Sequence, residues 1–309
     1  MSRLFEGLSR ANMQQSQSDT VPPDLVPADL VPPESAARAE ASNSAMPKTN
    51  GSREMGETKK VFKIEKARSV MVQPPPKSRL VAWTDPNSLG AEKFRALAVR
   101  LDDMRKQHEL NSLQVTSSVI NEGKTFVSAN LGVTLAKYSG FKTLLIEGDL
   151  HRPTLASMFG LKNLQGLSDW WSGPDQDIAR FVVEFAGTGL WFLPAGKAFD
   201  RPSEILRSAR LAEVFARLAG QFDWIVVDTT PMLPVIDANL WSRLVDGTLL
   251  VVREGLAPLK ALKKGLQSLD HPKLIGVVVN EASEFDQVDY AGQYYGARKY
   301  GAKRSEKLG

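Results

Sequence analysis

The chain has 309 residues, of which 42% are hydrophobic, and its formal net charge at pH 7 is +4. It has no cysteine and three histidines, which excludes disulfide bonds and thiolate metal sites. No run approaches the roughly 20 apolar residues of a spanning helix, and the mild charge forms no basic stripe, so nucleic acid is not an expected partner. These features predict a cytoplasmic protein with one α/β domain and extensions.

The first quarter of the chain lacks the composition of a folded domain. Residues 1–13 carry apolar side chains at helical spacing and predict a short amphipathic helix. Residues 14–78 are rich in proline, serine, alanine, asparagine and charge, with a five-residue near-repeat from Val21. Because dense proline opposes helices and sheet ladders, we predict a disordered linker over residues 14–78. The folded domain is predicted over residues 79–282.

The first helix of this domain is predicted from about Ala91 to Lys106, after a turn signal at residues 85–88. Its apolar stripe is predicted to face the core and consists of Phe94, Leu97, Leu101 and Met104. Three charged residues lie mostly off that stripe: Glu92, Arg95 and Arg100. A solvated helix surface is their ordinary interpretation.

The stretch 115–125 predicts a phosphate-binding loop between a strand and a helix. Gly123, Lys124 and Thr125 end the pattern G-x-x-x-x-G-K-[ST], whereas Ser118 occupies the position of its first glycine. The chemistry requires backbone N–H groups around an anion, a lysine on the phosphates and a hydroxyl on Mg²⁺. An ordinary strand-to-helix turn is the alternative. The preceding strand, the following amphipathic helix and the acidic strand ends below favour the phosphate-binding loop.

Two later apolar runs end in carboxylates. Residues 142–149 end in Glu147 and Asp149, and residues 224–228 end in Asp228. Such runs are typical of strands buried on both faces of a parallel sheet. Ligands of open α/β sheets bind beyond the carboxyl ends of strands, so we predict that all three acids lie at a nucleotide site. Each acid alone would be better interpreted as a helix cap or turn residue, but their order after the loop favours the site.

The rest of the domain continues the alternation of strands and helices. Strands are predicted at residues 189–196, 246–252 and 274–280, with helices from Pro202 and near Leu259. This order predicts right-handed crossovers and a doubly wound, mostly parallel sheet with helices on both faces.

Residues 283–309 form a tail of different character. Four of the five tyrosines of the chain lie there: Tyr290, Tyr294, Tyr295 and Tyr300. An aromatic cluster could pack on the domain surface, but the absence of apolar periodicity predicts a flexible tail. Tyrosines in such a tail can reach an active site, either their own or that of a neighbouring copy.

These motifs, in this order, resemble the bacterial tyrosine kinases (BY-kinases) of capsule and exopolysaccharide production, in the branch whose kinase is a chain separate from its membrane adaptor. The resemblance covers about residues 79–300. Residues 116–125 resemble the Walker A motif of this P-loop NTPase family, residues 144–153 its acidic Walker A′ motif, and residues 226–231 its Walker B motif. The tyrosine-rich tail resembles the autophosphorylated cluster of the family.

The resemblance implies an ATP-dependent protein-tyrosine autokinase that regulates the polymerisation and export of exopolysaccharide or capsule. The implied catalytic residues are Lys124, Glu147, Asp149 and Asp228, with Glu147 or Asp149 orienting or deprotonating the tyrosine hydroxyl. The implied nucleotide contacts are Ser118, Asn121, Glu122, Gly123, Lys124, Thr125, Phe126 and Asn280. The implied Mg²⁺ ligands are Thr125, Asp149 and Asp228, and the implied phosphate acceptors are the four tail tyrosines.

The resemblance also implies partners and a location. The partners are a transmembrane adaptor of the chain-length-determinant type, further copies of the chain and a tyrosine phosphatase, and the location is cytoplasmic, peripheral to the inner membrane through the adaptor. Glu92, Arg95 and Arg100 are the implied oligomer contacts. The chain departs from the family pattern at three positions: Glu147 replaces an aspartate, His151 an arginine, and Ala98 the last arginine of a ring-forming Glu-x-x-Arg-x-x-Arg motif.

Two other functions stay open. One is an ATPase switch of the partitioning or cell-division-positioning (ParA/MinD) type. Such proteins usually carry a second lysine five positions before the loop lysine, where this chain has Val119. The other is a regulatory scaffold that binds ATP without transferring phosphate, which the three departures motivate. It predicts nucleotide binding with no phosphotyrosine.

Overall fold

The structure, a computed structural model, describes residues 64, 67–174, 176–233, 235–268 and 273–281. The described residues all lie within one of the two units into which the chain divides, Lys59–Gly309. The predicted helix at residues 1–13, most of the predicted linker and the tyrosine-rich tail lie outside the described residues.

Strands and helices alternate along the described part of the chain. The strands are β1 (Arg68–Val70), β2 (Ser112–Ser117), β3 (Thr143–Glu147), β4 (Val183–Phe185), β5 (Leu190–Leu193), β6 (Trp224–Asp228), β7 (Gly247–Arg253) and β8 (Leu274–Asn280). The helices are α1 (Val81–Thr84), α2 (Leu89–Gln107), α3 (Lys124–Lys137), α4 (Leu155–Met158), α5 (Leu167–Ser172), α6 (Pro202–Leu206), α7 (Ala209–Ala219), α8 (Asp237–Leu244) and α9 (Leu259–Gln267). A 3₁₀ helix spans Ile178–Arg180. No helix within the described ranges is long and apolar enough to cross a membrane.

The eight strands form one sheet in the order β1-β4-β5-β3-β6-β2-β7-β8. Only β4 and β5 pair antiparallel, and every other neighbouring pair is parallel. The predicted mostly parallel α/β sheet is therefore confirmed. The order places β2, β6 and β3 side by side at the centre, and all three strands are buried throughout. Their carboxyl ends, which carry the predicted motifs, meet at one edge.

Helices cover both faces of the sheet because the central strands alternate their apolar side chains between two cores. On β6, Val226 belongs to the core that contains residues of α2 and α3. Ile225 and Val227 belong to the opposite core, with residues of α7 and α8. This burial on both faces explains why the central strands have continuous apolar sequences.

The structure differs from the prediction at the start of the domain. The predicted linker extends to residue 78, but β1 precedes that point and pairs in parallel with β4. Ile64, still earlier, is also buried in the core. A three-residue edge strand followed by prolines shows no periodicity in the sequence, so only the pairing with β4 identifies it.

Candidate active site

A buried glutamate shapes the loop between β2 and α3. The Oε2 atom of Glu122 accepts a hydrogen bond from the Val119 N–H (2.8 Å), and its Oε1 atom accepts one from the Arg253 N–H at the end of β7 (3.4 Å). Asn121 (φ 65°) and Gly123 (φ 97°) adopt left-handed conformations. These turns bring the loop round to the start of α3. Because the first-turn N–H groups of a helix have no partners within the helix, the loop can surround an anion there.

The last residue of β8 supports the same loop. The Nδ2 group of Asn280 donates a hydrogen bond to the Glu122 carbonyl oxygen (3.0 Å). A Cβ atom on Gly123 would lie 2.2 Å from this nitrogen. Position 123 therefore requires glycine for its positive φ and for space. Asn280, which the sequence predicts as a nucleotide contact, holds the loop backbone in the structure.

Lys124 and Asp149 form an ion pair at the carboxyl edge of the sheet. The Lys124 Nζ lies 3.0 Å from Asp149 Oδ2 and 3.4 Å from Thr125 Oγ1. The side chains of Lys124 and Asp149 are both largely buried, at 14% and 8% exposure. The other carboxylate oxygen of Asp149 accepts a hydrogen bond from the Arg152 N–H (3.0 Å). The fold thus brings together a loop lysine and an acid that lie 25 residues apart.

Asp228, at the end of β6, is buried next to the first turns of α3. Ser128 Oγ donates a hydrogen bond to Asp228 Oδ1 (3.1 Å), and the nearby Thr125 hydroxyl favours the charged form of this carboxylate. Burial raises the pKa of Asp228 to about 6, while the nearby Lys124 ammonium opposes the shift. Sequence reasoning missed Ser128. It lies four residues, or about one helical turn, after Lys124, and that spacing could have identified it.

Glu147 is the predicted acid that the fold turns away from Lys124. Its Oε1 atom accepts hydrogen bonds from the N–H groups of Leu155 (2.6 Å) and Ala156 (3.1 Å), and its Oε2 atom accepts one from the Ala195 N–H (3.1 Å). Burial raises the pKa of this carboxyl group. Glu147 therefore closes the loop over residues 148–154 and attaches it to the end of β5. Of the two acids proposed to face the tyrosine, only Asp149 contacts Lys124.

Glu147→Ala is expected to lower the free energy of unfolding by about 2–4 kcal/mol, because three backbone N–H groups lose their acceptor and a buried side chain is removed. Urea unfolding at pH 7 measures the change. Glu213→Ala, at an exposed position of α7, is the matched control and should change stability by less than about 0.5 kcal/mol. Equal stability of Glu147→Ala and the control would contradict the bracing role.

A second contact fixes the loop that carries Asp149. His151 Nε2 lies 3.0 Å from Asp237 Oδ2 at the start of α8. Asp237 is buried, and His151 is 42% exposed. Burial raises the pKa of Asp237, and His151 opposes the shift. The residue that replaces the arginine of the resembled family thus attaches the loop to α8.

The other predicted site residues fall into two groups. The Ser118 Oγ is buried in the loop with no hydrogen-bond partner among the described residues. The Phe126 ring instead packs edge-on against Phe94, with ring centroids 5.6 Å apart, and belongs to the core between α2 and α3. Only the backbone of Phe126 is placed to face the loop. The predicted acceptor tyrosines lie outside the described residues.

The predicted oligomer contacts lie on α2, away from these acids. The Arg95 Nε donates to Glu92 Oε2 (3.0 Å), and its Nη1 donates to the Pro86 carbonyl oxygen (2.7 Å). Arg100 is exposed. Ala98, at the last position of the ring-forming motif, is buried in the core. The Glu92–Arg95 pair is therefore satisfied within the chain, and the oligomer contact stays a prediction.

The residues at this edge fit a nucleotide with Mg²⁺. Thr125 and Asp228 place a hydroxyl and a carboxylate near each other at the start of α3, beside the Lys124 ammonium. No group of three potential metal-binding side chains occurs among the described residues. This sparse donor set suits Mg²⁺, which keeps several waters and takes only one or two carboxylates when it binds with phosphates.

Comparisons with known proteins give consistent relatives. No protein-family model matches the chain. CapB of Staphylococcus aureus, which is named as a tyrosine-protein kinase, is 33% identical over 220 residues, or 71% of this chain and 94% of CapB. The succinoglycan biosynthesis transport protein ExoP of Rhizobium meliloti is 32% identical over 220 residues, or 70% of this chain and 28% of ExoP. The solved kinase domain of the Escherichia coli tyrosine kinase ETK is 31% identical, with a TM-score of 0.60 over 66% of this chain and 82% of that domain.

Proposed function

Because the chain belongs to the bacterial tyrosine kinases of capsule and exopolysaccharide biosynthesis, we propose that it transfers the γ-phosphate of ATP to tyrosines of its own tail. One observation carries the proposal: Lys124, Asp149 and Asp228 converge beside the start of α3. Phosphoryl transfer depends mainly on positioning and on neutralising charge, and this small set supplies both.

The loop and the start of α3 would bind the phosphates. The backbone N–H groups near Gly123 and Lys124 face the anion, the Lys124 ammonium neutralises charge on the β- and γ-phosphates, and the Ser118 hydroxyl is free to donate. When bound, Mg²⁺ would neutralise phosphate charge and align the leaving group. Thr125, Asp149 and Asp228 would hold the ion. Asn280 and Glu122 contribute to phosphate binding indirectly, because their hydrogen bonds stabilise the conformation of the loop.

Asp149, rather than Glu147, is the proposed group that receives the tyrosine. Both oxygens of Glu147 are occupied by backbone N–H groups, whereas Asp149 lies at the phosphate-binding lysine. As the tyrosine oxygen bonds to the γ-phosphorus and ADP leaves, Asp149 accepts the hydroxyl proton. The charge-assisted hydrogen bond with Lys124 keeps Asp149 in place before the substrates bind.

The remaining organisation is proposed from the resemblance and the sequence. We propose that residues 1–13 and the linker bring the kinase to a transmembrane adaptor, and that the tail is phosphorylated mostly between copies of the chain. A tyrosine phosphatase would reverse the modification. The part of ExoP that this chain matches is 28% of the length of ExoP. A location at the inner membrane through that adaptor follows from the same proposal.

Intact-mass and phosphotyrosine analysis of the purified protein tests the proposed function. Incubation with ATP and Mg²⁺ is expected to add phosphate groups, which disappear when the four tail tyrosines are all changed to phenylalanine. Tyr138→Phe is the control, because Tyr138 is the one tyrosine within the domain and its hydroxyl donates to the Ala82 carbonyl oxygen (2.9 Å). This variant should still gain phosphate. ATP binding with no mass increase, even after addition of an adaptor fragment, would favour the scaffold instead.

A further inference from the structure

Arg152 lies in the loop that carries Asp149, and the proposed phosphate transfer does not use its side chain. Its backbone N–H donates to Asp149 Oδ1, so the two residues are adjacent in space. The neighbouring side chains of Lys124 and His151 contact Asp149 and Asp237. The Arg152 side chain is exposed, and no carboxylate within the described ranges forms an ion pair with it. Arg152 is thus an exposed arginine whose backbone contacts the acid that would receive the tyrosine.

The tail presents its tyrosines in two opposite charge environments. Tyr290 follows three acidic residues, Glu284, Asp286 and Asp289. Tyr300 instead has basic neighbours, Arg298, Lys299, Lys303 and Arg304. Tyr294 and Tyr295 lie between the two segments. An exposed arginine near the transfer site attracts the first segment and repels the last.

The geometry of the sheet gives the acidic segment access to this site. β8 ends at Asn280, which contacts the phosphate-binding loop, so the last described residue, Glu281, lies at the same edge of the sheet. From β8 to β3 the sheet crosses β7, β2 and β6, which is four strand spacings, or about 19 Å. Tyr290 is nine positions after Glu281, and a chain of nine residues can span up to about 30 Å. Tyr290 can therefore reach its own site, and a second copy can supply it as well.

Resting on the proposed kinase function, we propose that Arg152 determines which tail tyrosine is phosphorylated first, by pairing with the acidic residues before Tyr290. Arginine suits this role because its planar guanidinium binds carboxylates through two hydrogen bonds. Exposed ion pairs are weak, so the preference for Tyr290 over Tyr300 is expected to be about three- to fivefold at low salt. It should decrease as salt is added.

Site-resolved mass spectrometry at early reaction times measures the ratio of phosphate on Tyr290 to phosphate on Tyr300. Arg152→Glu is expected to lower this ratio at least about threefold, and Arg152→Lys should keep most of it. Adding Asp286→Lys and Asp289→Lys to Arg152→Glu should restore the ratio. Lys106→Glu is the matched charge reversal, since Lys106 is exposed in the last turn of α2, near the opposite edge of the sheet. It should leave the ratio unchanged, and an unchanged ratio in Arg152→Glu would overturn the proposal.

A binding measurement separates this proposal from the kinase assignment. A fluorescent peptide of residues 283–293 is titrated with the full chain in the presence of a non-hydrolysable ATP analogue and Mg²⁺. Arg152→Glu is expected to weaken binding about threefold or more, whereas Lys106→Glu has no effect. Equal binding by both variants would overturn the role of Arg152. If the two variants differ in peptide binding as expected but the wild-type protein transfers no phosphate, the result would instead contradict the kinase function.

Discussion

Lys124→Met is expected to abolish phosphorylation of the tail while the protein stays folded. The Lys124 ammonium is the proposed cation on the transferring phosphate, and removal of one such group usually costs a hundredfold or more in rate. Its partners in the structure are Asp149 and Thr125, which are both polar and near the edge of the sheet. Phosphotyrosine signal and intact mass after incubation with ATP and Mg²⁺ measure the loss, and circular dichroism checks the fold.

The matched control for Lys124→Met lies on the same helix. Lys137, the last residue of α3, is exposed, and its ammonium lies 4.4 Å from the centre of the Trp83 ring. Lys137→Met removes the same charge at the other end of this 14-residue helix, far from the loop, and should keep full phosphorylation. Phosphotyrosine that persists in purified Lys124→Met would refute the assignment of the phosphate-binding loop.

Asp228→Asn is expected to stabilise the nucleotide-free protein at pH 7 and to remove its activity. Burial raises the pKa of Asp228 to about 6 from an ordinary value of 3.8, so the fold disfavours the charged carboxylate. A neutral asparagine of the same shape avoids this cost and should increase the free energy of unfolding by about 1–3 kcal/mol. The variant loses the proposed Mg²⁺ ligand, so kinase activity should fall about a hundredfold or more.

The pH dependence of stability follows from the direction of the shift. Between about pH 4 and pH 6 the folded protein holds a proton on Asp228 that the unfolded chain has released. The wild-type protein therefore loses stability as the pH rises through this window. The advantage of Asp228→Asn should be small near pH 4 and complete at pH 7. Urea unfolding at several pH values, without nucleotide and Mg²⁺, measures it.

Asp246→Asn provides the contrasting variant. Asp246 lies before β7, at the opposite edge of the sheet, and its Oδ2 atom accepts hydrogen bonds from the Ser112 N–H (2.9 Å) and Oγ (2.6 Å). Because this carboxylate has donors around it, its replacement should destabilise the protein or leave it unchanged. The quantity to compare is the free energy of unfolding of Asp228→Asn minus that of the wild type. If this difference were smaller at pH 7 than at pH 4, it would contradict a buried, disfavoured charge at position 228.

The sequence by itself determined the fold class and predicted where the site lies. Continuous apolar runs at residues 142–149 and 224–228 predict central parallel strands because such strands are buried on both faces. The tripeptide at residues 123–125, between a predicted strand and a predicted helix, predicts a phosphate-binding loop because its chemistry needs those residue types in sequence. Both signals are local, so they do not depend on how distant segments pack. The start of the domain was misplaced because β1 gains its structure only by pairing with β4.

Only the tertiary structure decided what each acid and its neighbours contact. Glu147 and Asp149 are two residues apart and equally plausible in the sequence, yet Glu147 meets the backbone of α4 and Ala195, whereas Asp149 meets Lys124. The order β3-β6-β2-β7-β8 likewise sets Asn280 beside Glu122, although 158 residues separate them. Such contacts depend on strand order and on the path of each loop. Because neither has a local pattern in the chain, the sequence alone could not assign them.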